Sequence, residues 1–207
     1  MRRGLVPIEI AVIVIASIVS ASDPPLLGAI PVMVPLLVAA SMLRWYVGRS
    51  FGEVVRGPIS YVAIGAGVGL VALFAAILIG APIAEVMSGR SVTWSEYPIV
   101  RGNWNAFLAF AVVVVAIAMA TELVLRGWVL ERALELGASK GMAVFIAAVA
   151  EAMLLDGPLE ARLGAFVVGM GLGGMYMGSQ RNLAVTTAAR VTFGLGALLL
   201  EVVQWVH

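Results

Sequence analysis

Residues 105–126 read NAFLAFAVVVVAIAMATELVLR, and this stretch decides the fold. From Ala106 to Ala120 no side chain is charged, and the apolar residues follow one another without the alternation of a half-buried strand. A helix rises 1.5 Å per residue, so about 20 apolar residues cross a hydrocarbon core roughly 30 Å thick. The run therefore predicts a membrane-spanning helix over 105–125. Its end carries Glu122 and Arg126, four residues apart and so on one helical face, where they can pair.

Working outward, the rest of the chain has the same character. Of its 207 residues, 62% are hydrophobic and only 12% are charged. A soluble domain is roughly half apolar and about a quarter charged, and it cannot hide this much apolar surface from water. Hydropathy predicts about seven spans, at 5–22, 25–43, 59–84, 105–125, 141–156, 162–177 and 183–205. The first begins like a secretory signal, with Arg2, Arg3, an apolar run and then Val19-Ser20-Ala21, and is read here as a retained helix. The expected fold is an all-α, polytopic membrane bundle forming one domain over 1–207.

Orientation follows from the basic residues. With the N-terminus in the cytoplasm, Arg2, Arg3, Arg44, Arg49, Arg56, Arg126, Arg132, Lys140 and Arg181 fall inside. Arg90, Arg101 and Arg162 fall outside, so the positive-inside bias favours this placement. The outer loop, roughly 85–104, carries Trp94, Tyr97 and Trp104, which read as an interfacial belt. The net charge of +1 argues against a nucleic-acid partner, since phosphate binding needs clustered basic charge.

Composition also limits the chemistry. There is no cysteine, hence no disulfide and no thiolate metal site, and the single histidine is His207. Gly169, Gly171 and Gly174 have dinucleotide-loop spacing but lie in an apolar helix without a preceding strand. Close helix packing explains them better, as it does Gly65 and Gly69. More informative are charges at membrane depth, which are expensive and need partners. These are Glu122, Glu151 and Arg190, for which ion pairing between helices is the expectation.

The stretch Thr121-Glu122-Leu-Val-Leu-Arg126-Gly127-Trp128 resembles the first motif, Glu-Glu-x-x-x-Arg, of the CAAX prenyl endopeptidase and Abi (CPBP) membrane proteases. Phe166-Val-Val-Gly169-Met-Gly-Leu-Gly173-Gly-Met-Tyr176 resembles that family's glycine-rich helix. Asn182-Leu183 through Arg190 to Gly194 resembles the segment bearing its third motif, His-x-x-x-Asn. The resemblance covers roughly 105–200, in family order. It implies a core in which a glutamate and two intramembrane histidines hold a metal or activate water, while an asparagine stabilises the oxyanion.

The matched positions depart from that machinery. Thr121 stands for the first glutamate, Leu154 lies where the second-motif histidine is expected, and Arg190 and Gly194 stand for the third-motif histidine and asparagine. A zinc site needs about three nitrogen, sulfur or carboxylate ligands plus an open position, which Glu122 and Glu151 alone do not supply. The expectation is a catalytically inactive member of this group, without metal or cofactor, acting as an accessory or scaffold subunit. Its partners would be the lipid bilayer and other integral membrane subunits. The alternatives are an active protease using Thr121, Glu122, Glu151 and Asp156, or a small transporter or lipid-binding module. Arg190 is expected to neutralise Glu122 or Glu151 where the metal once did. Met153, Leu154 and Phe193 are expected to fill the old cavity, giving dry packing.

Overall fold

The computed structural model describes residues 59–89, 91, 98–155 and 158–203. The spans expected at 5–22 and 25–43, and Trp94, Tyr97, Asp156 and His207, lie outside the described residues. Every regular element among those described is helical. Five rods follow one another: α1 (Ile59–Ser88), α2 (Trp104–Glu135), α3 (Lys140–Leu154), α4 (Leu159–Gly178) and α5 (Leu183–Val202). A 3₁₀ turn at Pro98–Val100 precedes α2.

Each of the five spans expected within this region is a helix, but only α1, α2 and α5 are long and apolar enough to cross a membrane. The 15 residues of α3 rise only about 22 Å, and in α4 the glycines, Glu160 and Arg162 dilute the apolar run. The rod α2 continues to Glu135, beyond the expected end at 125.

Burial is inverted relative to a water-soluble protein. The most apolar window of α1 has a mean hydropathy of 2.7, yet only 17% of it is buried. Val71 and Val112 lie on the outer surface, while Glu122 and Arg126 are fully buried. Burying apolar area drives folding in water, so an apolar exterior around a charged interior calls for lipid as its solvent. The described region is a membrane helical bundle.

Local chemistry sets the helix ends. Asn103, Ser139 and Asn182 cap α2, α3 and α5, their side-chain oxygens accepting from the amides of Ala106, Met142 and Ala184. Gly89 ends the first rod in the left-handed region at φ 65°. Within α1 a π turn at Ala76–Gly80 stands just before Pro82. Proline has no N–H to donate and its ring crowds the carbonyl four residues back, so a widened turn relieves the clash. A second π turn, Leu125–Leu130, interrupts α2 and contains Arg126. It packs against α3.

The tightest packing is α1 on α5. A Cβ on Gly65 would lie 2.1 Å from the Val185 carbonyl oxygen, and one on Gly69 would lie 2.3 Å from that of Ala189. These glycines let two backbones touch, as the sequence predicts. In α4 the expectation holds for Gly169, which stands against Ala148, but not for Gly171 or Gly174, which meet open space. The close pair is instead Gly169 and Gly173, one turn apart, with Gly173 against Val144.

Candidate functional site: a buried charge ring beside a cavity

Four charged side chains from three helices converge. Glu122 and Arg126 stand one turn apart on α2, Glu151 comes from α3, and Arg190 comes from α5. The Arg126 Nη1 donates to Glu122 Oε1 at 3.1 Å, and its Nη2 donates to Glu151 Oε2 at 2.7 Å. That Nη2 also donates to the Gly169 carbonyl at 3.1 Å, which ties in α4. Arg190 Nε donates to Glu122 Oε1 at 2.6 Å, and its Nη2 donates to Glu151 Oε1. The result is a closed ring, Arg126–Glu122–Arg190–Glu151, whose formal charges cancel.

The glycine helix shapes the ring. A Cβ on Gly169 would sit 2.9 Å from Glu151 Oε2, so the carboxylate occupies space that any other residue would take. The π turn carries Arg126 just past Glu122, and widened turns of this kind frequently mark functional positions. Glu122 Oε2 and Arg126 Nε are buried without a hydrogen-bond partner among the described residues. Such a ring adds little net stability over apolar packing, but removing one member strands a charge and costs about 3–5 kcal/mol.

Of the positions singled out in the sequence, Glu122, Arg126, Glu151 and Arg190 meet in this ring. Thr121 is buried beside it, its hydroxyl donating to the Ile117 carbonyl at 2.8 Å. The expected dry closure of the neighbouring space is overturned. A cavity of about 430 Å³ lies there, lined by Thr121, Glu151, Leu154, Arg190, Phe193 and Gly194 among others. Leu154 and Phe193 line this space without filling it, and Met153 turns outward with 76% of its surface exposed. The physical reason is side-chain size. Gly194 lies against Val114, fixing the approach of α5 to α2, while the small side chains of Ala118, Ala165, Gly194 and Ala197 leave volume that no other described residue fills.

Two further polar groupings were not singled out from the sequence. Tyr176, in the last turn of the glycine-rich helix, donates to Glu131 Oε1 at 3.0 Å, and Arg181 pairs with Glu131 at 3.3 Å. Glu201 lines the far side of the cavity and faces Arg101 at 4.0 Å. The available signal for Glu201 was its place as the last charge in an apolar helix. Among the described residues no three histidine, cysteine or carboxylate side chains converge as a metal site would require.

Comparisons with profiles of known protein families, with curated protein sequences and with solved structures return no match to this chain.

Proposed function

We propose that this chain is a CAAX-protease-like (CPBP) membrane protein that performs no hydrolysis and serves as a scaffold or accessory subunit of a membrane assembly. The observation carrying this reading is Arg190, whose guanidinium bridges Glu122 and Glu151 at the position where the resemblance implies a metal-binding histidine. A fixed cation between the two carboxylates engages the groups that would otherwise hold a metal or activate water. An arginine there would also repel a dication.

In this reading the bundle has about seven spans with the N-terminus in the cytoplasm. It resides in a prokaryotic cytoplasmic membrane, and the lipid-facing apolar surfaces of α1 and α2 leave room for other integral subunits. Extraction in mild detergent followed by mass spectrometry tests it. A stoichiometric membrane partner is expected, together with no cleavage of a prenylated peptide. A purely monomeric preparation would contradict the reading. So would stoichiometric zinc, or a peptidase activity lost in Glu122→Gln.

A further inference from the structure

We propose that the cavity beside the charge ring binds an uncharged, single-chain amphiphile from the bilayer, with its hydrogen-bond-accepting head on Arg190 and its tail along Ile117, Leu154 and Phe193. This goes beyond the scaffold reading and stands without it.

Three observations carry it. The first is size and lining: about 430 Å³, bounded mainly by apolar side chains with a few polar groups at defined places. Small-molecule sites have this character and run roughly 300–1,000 Å³. The second is a spare donor. Arg190 uses Nε and Nη2 on the two carboxylates, its Nη1 has no acceptor among the described residues, and the side chain is 22% exposed where it lines the cavity. A guanidinium that lines an apolar cavity with an N–H to spare is unfavourable, so an oxygen within its reach gains a charge-assisted hydrogen bond.

The third observation is charge. Arg190 and Glu151, the two ring members in the lining, balance each other, and the remaining ionised group there, Glu201, is a carboxylate that faces Arg101. An anionic head would approach the carboxylates of Glu151 and Glu201, and a cationic head would meet Arg190. A hydroxyl, ester or ketone oxygen avoids both repulsions. The volume suits one hydrocarbon chain, and the lining is drawn largely from α2 and α5, two of the helices long and apolar enough to cross a membrane.

Photolabelling of the full chain in phosphatidylcholine nanodiscs tests this, using a long-chain alcohol that carries a diazirine in its tail. Label is expected on peptides containing Ile117, Leu154 or Phe193. An unlabelled monoacylglycerol should compete at least about tenfold better than a fatty acid of equal chain length, a difference near 1.4 kcal/mol. Ala197→Phe, which fills the cavity, should cut this labelling about fivefold or more in protein that still melts cooperatively. Ala165→Phe serves the same purpose should Ala197→Phe fail to fold. Glu201→Gln should improve fatty-acid competition severalfold by removing a repelling carboxylate. Label spread over the outer faces around Val71 and Val112 and indifferent to cavity filling would overturn the site. Equal competition by the fatty acid would overturn the assignment of an uncharged head.

Discussion

Helix α5 makes two seams that hold by opposite means. Toward α1 it offers backbone, with the carbonyls of Val185 and Ala189 in contact with Gly65 and Gly69. Toward α2 and α3 it offers Arg190, clamped between two carboxylates, with a cavity alongside. The first seam is dry, and van der Waals contact at short range holds it, since lipid provides no hydrophobic drive for helix association. The second is polar, and it holds because any member left alone would be a charge in a low dielectric. The contrast teaches that a membrane bundle can place rigidity and chemistry on two faces of one helix. Its tight seam tolerates no added atom, while its charged seam tolerates empty volume but no unpaired partner.

The largest expected effect breaks the charged seam. Arg126→Leu removes the donor to Glu122, Glu151 and the Gly169 carbonyl together, leaving two carboxylates to one arginine. It should destabilise the bundle by about 3–5 kcal/mol, measured by denaturant titration in mixed micelles. Gly65→Ala attacks the dry seam instead. Its new Cβ meets backbone, which cannot rotate away, so the helices must separate at a cost of about 1–3 kcal/mol. Detergent-dependent melting should show a stability loss with the charge ring intact. Tyr176→Phe, which removes one hydrogen bond to Glu131, should cost about 1 kcal/mol by the same titration. Arg132→Ala, which breaks the surface pair with Glu135, should move stability by less than about 0.5 kcal/mol.

The sequence made some of these features legible for definite reasons. Spacing of four fixes a shared helix face, so Glu122 with Arg126 and Gly65 with Gly69 could be read directly. Glu151 and Arg190 could be read only as charges in need of partners, because nothing local states which helices are neighbours. That gap hid the reach of Arg126 to both Glu151 and Gly169. Periodicity likewise does not separate Gly169 and Gly173, which face α3, from Gly171 and Gly174 on other faces of the same helix. The cavity was the clearest failure. Leu154 and Gly194, apolar where the resemblance implies polar residues, suggested closure, but closure requires volume, and the small residues at Ala165, Gly194 and Ala197 withhold it. Met153 adds none, because one position along a helix is a rotation of about 100° and carries it to the outer surface.

Arg190 stands between the two carboxylates as their obligatory counter-charge. A double-mutant cycle on Arg190 and Glu151 measures that dependence. Arg190→Leu leaves a surplus buried carboxylate, and Glu151→Leu leaves a surplus guanidinium, whereas the double variant keeps the neutral Glu122–Arg126 pair. Each single variant should lose stability, and the double should lose less than their sum by about 1.5 kcal/mol or more. Losses that add to within about 0.5 kcal/mol, or an Arg190→Leu protein as stable as the original, would contradict the account.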